Sequence, residues 1–454
     1  MRFSLVNPAT GRPIRSIPAH SAAEVERAVS RAHRAHRDWR AVPPAARARS
    51  LRALAAALRA RLPELAAQAT QEMGKPIRQS RAEVEKCALL CDYYARHAAD
   101  YLREERPPGA PPQASVVFEP VGIVLAIMPW NFPYWQVLRA AVPALAAGNT
   151  VLLKHAPNVA GCALALAELC GRAGLPAGAL QALLIGTDRV PALIADPRVQ
   201  AVTLTGSTRA GRTVAALAGR AMKKGVYELG GSDPALILED ADLDLAAEVC
   251  ASARLINSGQ SCVCAKRFLV VSSVRRAFTE KFAARLQARV VDDPRSERCD
   301  VGPLARRDLR LNLERQVEAS LKAGAKLALG GRSRPGPGYF YPPTLLTGVR
   351  PGMAAFDEEL FGPVAAVVAV RDEAAAIAAA NNSPYGLGAT VFSRNPARAR
   401  RVAAQLEAGS VFINDFVRSD PTLPFGGIKL SGHGRELGSF GIREFVNIKT
   451  VWVA

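Results

Sequence analysis

The feature of this chain that most restricts its fold is a long alternation of apolar runs with helical stretches. From residue 122 to about residue 440, an Ala- and Leu-rich segment of helical length follows runs such as GIVLAIM, NTVLLK, AVTLTG and KRFLVV. Fully apolar strands that alternate with helices are typical of parallel sheets covered by helices on both faces. The sequence therefore predicts an α/β protein, and its 454 residues suffice for roughly two or three domains.

Both ends of the chain depart from this alternation. The first hundred residues read as helices: Ser21–Arg40 begins with a capping box that pairs Ser21 with Glu24, and helical periodicity continues over Ala45–Gln68 and Arg78–Glu105. The run PPGAPP that follows predicts a linker. The final run, FVNIKTVWV, predicts a terminal strand.

The formal net charge of +19 raises the question of a nucleic-acid or membrane partner. Arginines are spread along the predicted helices and are not gathered in a basic tail with aromatic residues, so we expect no nucleic-acid partner. No apolar run reaches the about 20 residues that a membrane span needs, and we expect no membrane partner. The opening residues lack the pattern of a signal peptide, which predicts a cytoplasmic protein.

The run NSGQSCVC contains two of the eight cysteines, Cys262 and Cys264. They could form a redox pair, contribute to a metal site, or provide one reactive thiol beside a bystander; a buried structural cysteine is the plainer alternative. The six histidines form no ligand-spaced pair near this run, so we predict no metal site. A chain of this length does not read as a disulfide framework.

Three further segments carry groups with chemical potential. Glu228 stands before a Gly-Gly turn, where a carboxylate could take a proton from water or from a thiol, although a lone glutamate is more often a solvated charge. Asn131, in MPWNFP at the end of a strand-like run, could donate to an oxyanion. The segment VTLTGSTRAG contains Gly206, Ser207 and Gly211 at a predicted helix start that could bind phosphate, but its spacing is not GxGxxG.

Together these segments resemble the NAD(P)-dependent aldehyde dehydrogenase superfamily. The matching motifs are PWNFP, LLK at Leu152–Lys154, TGSTRAG, ELGG, GQSC, EELFGP at Glu358–Pro363, NNSPYGLGA at Asn381–Ala389 and PFGGIKLSGHGRELG at Pro424–Gly438. They occur in the family's order and cover nearly the whole chain. The chain most resembles a shorter bacterial subgroup of succinate-semialdehyde dehydrogenases.

The resemblance implies a role for each matching residue. Cys262 would attack the aldehyde, Asn131 and the Cys262 backbone N–H would hold the oxyanion, and Glu228 would activate water against the resulting thioester. Cys264 would be a bystander or a reversible redox partner of Cys262. The implied cofactor is NAD or NADP, with the binding residues Trp130, Lys154, Gly206, Ser207, Gly211, Glu359 and Phe361.

The expected substrate is a small-molecule aldehyde, for which succinate semialdehyde is the preferred candidate. Arg139 would bind its distal carboxylate and Ser419 would add a hydroxyl donor, with Arg418 as a further candidate. Some succinate-semialdehyde enzymes carry a second arginine where this chain has Ile256; Arg254, two residues earlier, is expected to point elsewhere. The alternatives are a medium-chain or aromatic aldehyde, and a Cys/Glu thioesterase without redox activity.

The implied architecture has two parallel-sheet α/β domains and a small β-strand oligomerisation arm. The expected parts are a dinucleotide-binding domain (1–104 and 120–228), a catalytic domain (229–438) and the arm (105–119 and 439–454). The arm predicts a homodimer or homotetramer. Pro157 stands where NAD-selective relatives often place a glutamate, and with Lys154 and His155 nearby both NAD and NADP are expected to be used.

Overall fold

The computed structural model describes residues 1–454, with nineteen strands and fifteen α-helices. The strands are β1 (Arg2–Val6), β2 (Pro13–Pro18), β3 (Ala114–Pro120), β4 (Ile123–Met128), β5 (Thr150–His155), β6 (Leu180–Ala182), β7 (Val199–Thr205), β8 (Lys224–Glu228), β9 (Pro234–Ile237), β10 (Arg267–Val271), β11 (Lys326–Leu329), β12 (Thr344–Thr347), β13 (Val364–Val370), β14 (Tyr385–Gly386), β15 (Gly388–Phe392), β16 (Ser410–Ile413), β17 (Ile428–Lys429), β18 (Gly432–His433) and β19 (Val446–Trp452). The helices are α1 (Ala22–Arg40), α2 (Pro44–Ala60), α3 (Leu62–Met73), α4 (Ile77–Tyr101), α5 (Trp135–Ala147), α6 (Ala160–Arg172), α7 (Val190–Ala195), α8 (Thr208–Arg220), α9 (Leu243–Leu255), α10 (Arg275–Gln287), α11 (Arg307–Lys322), α12 (Ala354–Asp357), α13 (Glu373–Asn381), α14 (Pro396–Ala403) and α15 (Gly438–Arg443).

The first large sheet has six strands in the order β18-β8-β7-β4-β5-β6. Every neighbouring pair is parallel except β18 with β8. Strand β4 is apolar throughout: Val124 and Ala126 enter one hydrophobic core, and Ile123 and Leu125 enter another. The strand order reverses between β4 and β7, so the loops after these strands flank the crevice where open α/β sheets bind ligands.

The second large sheet has seven strands in the order β11-β12-β13-β10-β9-β15-β16, and only β11 with β12 is antiparallel. Strand β10 shows the same two-sided burial, because Leu269 and Val271 enter one core and Phe268 and Val270 another. Continuous apolar runs were the signal for such strands, since both faces of each strand are buried. The prediction of two parallel-sheet α/β domains is confirmed.

The structure corrects the N-terminal prediction in two places. The chain begins with a β1–β2 hairpin and not with a helix, and the alternate residues Phe3 and Leu5 of β1 are buried. The helix expected over Ala45–Gln68 is two helices, α2 and α3, which meet at Arg61, where the backbone leaves the helical conformation. The capping box of α1 is present: the Ser21 hydroxyl accepts from the Glu24 N–H, and the Glu24 carboxylate accepts from the Ser21 N–H.

The predicted arm contains one antiparallel strand pair. Strand β19 pairs with β3 through seven residues, from Val446 opposite Pro120 to Trp452 opposite Ala114. The exact boundaries of the arm and of the two domains stay predictions. No helix has both the length and the apolar composition to cross a membrane, and the cytoplasmic location stays a prediction.

Candidate active site

Cys262 lies where two cavities meet. It is half-buried, whereas the other seven cysteines are buried. A cavity of about 370 Å³ and another of about 400 Å³ both have Cys262 in their walls, and Gln136 is the other residue common to the two. We call the first the polar cavity; its wall includes Trp130, Gly206 and Glu359. We call the second the apolar cavity; its wall includes Trp135, Phe416 and Phe425. A molecule in either cavity can therefore reach the same sulfur.

Lys266 holds the backbone around Cys262 through hydrogen bonds. This fully buried ammonium donates to the carbonyl oxygens of Ser261 (3.2 Å), Cys262 (2.8 Å) and Cys264 (3.1 Å). The Cys262 N–H, by contrast, makes no hydrogen bond within the protein. Lys266 engages the carbonyl oxygens of this loop, so the Cys262 N–H is the backbone group that stays unpaired. It is a hydrogen-bond donor, which is what stabilisation of an oxyanion requires.

The turn before Cys262 is strained and firmly anchored. Asn257 and Ser258 have φ values of +52° and +56°, a left-handed conformation that non-glycine residues seldom adopt. Arg254, fully buried, donates to the carbonyl oxygens of Gly259 (2.6 Å) and Gly362 (2.6 Å), among others. Arg254 thus points into the protein and supports this turn, which agrees with the expectation that it points elsewhere.

Asn131 follows β4 and lines the polar cavity together with Cys262. Its side-chain amide donates to the Gln260 carbonyl (3.1 Å), and its backbone carbonyl accepts from the Asn257 amide (2.6 Å). An amide has two hydrogens, so one bond orients the group while the second hydrogen stays available. The structure therefore joins the predicted oxyanion donor to the cysteine loop.

The first turn of α5, just after Asn131, is held by a buried ion pair. The Glu83 carboxylate accepts from the N–H groups of Tyr134 (2.8 Å) and Trp135 (2.9 Å) and pairs with Lys75, which is fully buried. A carboxylate at this place satisfies free N–H groups and favours the positive end of the helix dipole. Glu83 and Lys75 thereby position the Asn131 loop without being among the predicted site residues.

Glu228 ends β8 and is only 2% exposed. Both of its carboxylate oxygens lack a hydrogen-bond partner. Burial, and then the nearby Glu436 carboxylate, raise the pKa of Glu228 well above its usual value, while Arg139 and Arg435 oppose the shift. The raised pKa favours the protonated form of Glu228, and the ionised form is a stronger base than an ordinary carboxylate.

The protonation state of Cys262 sets a requirement on the chemistry. Burial raises the pKa of the Cys262 thiol to about 12, although Arg139 and Lys266 favour the thiolate. The thiolate is the nucleophile, and little of it exists at neutral pH in this environment. Attack by Cys262 therefore needs a proton acceptor.

Cys264 is buried, and its thiol donates to the Ile256 carbonyl oxygen (3.8 Å). Cys262 and Cys264 are both free thiols in the structure. The assignment of Cys264 as a redox partner stays a prediction. No group of three or more His, Cys, Asp or Glu side chains is arranged to hold a metal ion.

The polar cavity contains five of the seven residues predicted to bind the cofactor: Trp130, Gly206, Ser207, Glu359 and Phe361. Ser207 caps α8, and its hydroxyl accepts from the Ala210 N–H (3.3 Å). The Trp130 and Phe361 rings meet edge to face at 5.8 Å, and Glu359 accepts from the Gly231 N–H (3.0 Å). A capped helix N-terminus, two aromatic rings and a carboxylate suit the phosphates, the ring and the ribose of a dinucleotide.

Lys154 and Gly211 do not belong to the wall of the polar cavity. Lys154 is near the end of β5 and is 6% exposed. Gly211 lies in the first turns of α8, where a Cβ atom would come within 2.4 Å of the Leu229 side chain. Glycine at this position allows α8 to pack closely on the neighbouring segment, so its effect on the cavity is indirect.

The apolar cavity contains both residues predicted to bind the substrate, Arg139 and Ser419. Arg139 is buried, pairs with Glu436, and has its guanidinium carbon 4.7 Å from the centre of the Phe425 ring. Ile256, at the position of the second arginine in some relatives, is also in the wall. The structure thus brings the predicted substrate residues together with Cys262.

Sequence reasoning missed several functional groups of the site. Lys266 and Glu83 hold the two loops described above, Glu436 neighbours Glu228, and Lys86 donates to Ser419 in the apolar cavity. Each of these residues acts through tertiary contacts. No local pattern of spacing distinguishes any of them from an ordinary helical or loop charge.

A half-buried thiol in the walls of two cavities, with an unpaired backbone N–H and a neighbouring side-chain amide, fits a cysteine-dependent dehydrogenase site. The unpaired carboxylate of Glu228 belongs to neither wall, although the next residues, Leu229 and Gly230, line the polar cavity. The Aldehyde dehydrogenase family description matches residues 1–451. The chain belongs to the aldehyde dehydrogenase family. The recognition of this family from its motifs is confirmed.

Individual relatives are similar over their full length. The NAD(P)+ succinate semialdehyde dehydrogenase Sad of Escherichia coli (strain K12) is 50% identical, with 98% of this chain and 97% of the relative covered. The NADP(+) succinate-semialdehyde dehydrogenase 1 of Mycobacterium bovis is 46% identical, with 100% of both chains covered. The crystal structure of succinic semialdehyde dehydrogenase from Streptococcus pyogenes in complex with NADP+ has a TM-score of 0.97 at 36% identity, with 99% of both chains covered.

Proposed function

We propose that this protein oxidises succinate semialdehyde to succinate, with NAD or NADP as the hydride acceptor. The observation that carries the proposal is the place of Cys262, which is in the walls of both the polar and the apolar cavity. Full-length similarity to succinate-semialdehyde dehydrogenases named for NAD(P)+ and NADP(+) supports the choice of substrate and cofactor.

The chain's own residues account for capture of the aldehyde. The Cys262 sulfur attacks the carbonyl carbon, and its thiol proton passes to a base, the role that we assign to Glu228. The new oxyanion accepts from the Cys262 N–H and the Asn131 amide, and return of the proton from Glu228 to this oxygen gives a thiohemiacetal and leaves Glu228 ionised. NAD(P), held by the polar cavity, supplies the acceptor for the hydride of this centre.

Hydrolysis completes the reaction on the same sulfur. After oxidation Cys262 carries the succinyl group as a thioester, which a water molecule attacks at the carbonyl carbon. Glu228 takes a proton from that water, the carbon–sulfur bond breaks, Glu228 passes the proton to the leaving sulfur, and the carboxylic acid leaves. The unpaired oxygens of Glu228 support this role, since they are free to hold a water molecule.

The choice between NAD and NADP depends on the region after β5. His155 cannot assist a phosphate, because it is buried between the carbonyl oxygens of Met128 (3.2 Å) and Pro133 (2.9 Å) and burial lowers its pKa to about 4. Lys154 is the nearby cation, and Pro157 brings no negative charge. We therefore propose that the enzyme accepts both cofactors.

A panel of aldehydes tests the proposed substrate. We expect kcat/KM for succinate semialdehyde to exceed the values for butanal and benzaldehyde with either cofactor, followed by the absorbance of reduced nicotinamide. Equal values for succinate semialdehyde and butanal would favour the alternative of an unspecific medium-chain or aromatic aldehyde. Hydrolysis of a thioester without any aldehyde-dependent reduction would favour the thioesterase alternative.

We also propose that the protein is a homodimer or homotetramer assembled through the β3–β19 arm. Ile448 and Trp452 of β19 are 62% and 59% exposed, and the outer edge of β19 pairs with no other strand. Exposed apolar strands of this kind are normally covered by another chain. Light scattering of the wild type and of Ile448→Glu should give an oligomer and a smaller species; a monomeric wild type would contradict the proposal.

A further inference from the structure

The apolar cavity holds three cationic side chains, and they differ in their partners: Lys86, Arg139 and Arg418. Arg139 is paired with the buried Glu436, and Arg418 donates to Asp415 (2.6 Å). Each guanidinium charge is therefore compensated by a carboxylate of the protein itself. A substrate carboxylate that bound to either arginine would compete with a negative charge already in contact.

Lys86 is the exception. Its ammonium donates to the backbone carbonyl of Ser419 (2.7 Å) and to the Ser419 hydroxyl (3.0 Å), and it has no carboxylate partner within 4.0 Å. It lies 4.2 Å from the centre of the Trp135 ring. An ammonium has three donors, so two engaged with Ser419 leave one, together with the full positive charge, for another anion.

Partial burial destabilises the charged form of Lys86, and this destabilisation lowers its pKa. Burial, and then the charge of Arg139, lower the pKa of Lys86 to about 8, although Cys87, Asp420 and Glu83 oppose the shift. A nearby anion would restore the stability of the charged form. A bound carboxylate would therefore stabilise the charged form of Lys86.

We propose that Lys86 is a specificity-determining residue whose ammonium binds the distal carboxylate of the semialdehyde, next to the Ser419 hydroxyl. This inference rests on the proposed function and adds a residue to it. The Ser419 backbone carbonyl orients the ammonium, and the hydroxyl, which accepts from Lys86, keeps its own hydrogen for a second carboxylate oxygen. Arg139, held by Glu436, is then a neighbouring positive charge and not the sole anchor.

The test compares Lys86→Met, which keeps the length of the stem, with Arg96→Met, an exposed position on the same helix with the same loss of charge. We expect kcat/KM for succinate semialdehyde to fall about 10- to 100-fold in Lys86→Met, the size expected for a lost charge-assisted hydrogen bond, and to be unchanged in Arg96→Met. Butanal has the same carbon chain without the carboxylate, so its kcat/KM should stay within about twofold and also report a folded enzyme.

Further variants separate the possible failures. Lys86→Arg keeps a charge and should recover most of the preference for the semialdehyde. If the wild type does not prefer succinate semialdehyde over butanal, the proposed function fails. If the wild type has that preference and Lys86→Met keeps it, the proposed function stands and the assignment to Lys86 is overturned.

Above about pH 8 the wild type should lose preference for the semialdehyde, because neutral Lys86 attracts no carboxylate. The ratio of kcat/KM for succinate semialdehyde to that for butanal removes pH effects common to both substrates, such as those of the nucleophile and the base. A ratio that stays constant up to about pH 10 would overturn the assignment.

Discussion

The buried pair of Lys75 and Glu83 allows a quantitative prediction about the loop that carries Asn131. Glu83→Gln keeps an oxygen that can accept from the N–H groups of Tyr134 and Trp135, but it removes the charge and replaces the oxygen that accepts from Lys75 with an NH2 group. Lys75 is then a fully buried ammonium without a counter-ion. Breaking such a pair from one side typically costs about 3–5 kcal/mol.

The cost has an upper bound, because Lys75 can release its proton. Burial already lowers the pKa of Lys75, and Glu83 is the main group that opposes the shift. Keeping a lysine with an ordinary pKa of about 10.4 neutral at pH 7 costs about 4.6 kcal/mol, at about 1.4 kcal/mol per pH unit. At pH 9 the same cost is about 1.9 kcal/mol.

The sign of the pH dependence follows from linkage. In Glu83→Gln the folded state holds a neutral Lys75, and the unfolded chain binds one more proton. The free energy of unfolding of the variant, relative to the wild type, therefore rises as the pH increases from about 7 to about 10. For a chain of 454 residues unfolding as one unit, 4.6 kcal/mol corresponds to a midpoint about 5 °C lower at pH 7.

Thermal denaturation at the two pH values measures this deficit. Glu85→Gln is the matched control, since Glu85 lies on the same helix and forms an exposed ion pair with Arg59. A Glu83→Gln midpoint that equals that of the control at pH 7, or a deficit that is the same at both pH values, would refute the reasoning.

Three further predictions test two proposed catalytic residues and one residue that supports the cysteine loop. Glu228→Gln should slow the burst of reduced nicotinamide, since the thiol lacks its proton acceptor, and should lower steady-state turnover about 100- to 10,000-fold, since the thioester lacks its base; rapid-mixing absorbance with both rates at the wild-type value would contradict the assignment. Cys262→Ala should lose aldehyde oxidation and keep the rise in thermal midpoint on adding NADP+; measurable oxidation at the wild-type rate would exclude Cys262 as the nucleophile. Arg254→Met should unfold several degrees below the wild type, because buried carbonyl oxygens lose their donor, and an unchanged midpoint would contradict a supporting role.

The parts of the fold that the sequence predicted well are those with local physical signals. Two-sided burial makes strands such as β4 and β10 continuous apolar runs, and the capping box at Ser21 and the N-cap at Ser207 mark helix starts by side-chain chemistry. The β1–β2 hairpin was missed, since its strands are only five and six residues long and β2 has a proline at each end. Short segments of this kind carry little periodicity.

The residues of the candidate site also fall into two groups: those that a sequence motif identifies and those that only tertiary packing brings together. Cys262, Glu228 and Asn131 stand in motifs that identify the family; Cys262 and Asn131 share the wall of the polar cavity, and Glu228 ends β8 outside that wall. Lys86 and Ser419 are 333 residues apart, and their contact depends on the packing of a helix against a distant loop. A lysine on an amphipathic helix reads as a solvated charge until that loop is in place.

Only one cysteine out of eight, Cys262, is not fully buried, and it is the residue that we propose as the nucleophile. An alkylating reagent small enough to enter either cavity should therefore modify each polypeptide once, and the added mass per chain would give the concentration of competent catalysts in a preparation. Saturating the protein with NADP+ or with succinate should slow the modification, so that the same reagent also reports occupancy on each side of the sulfur.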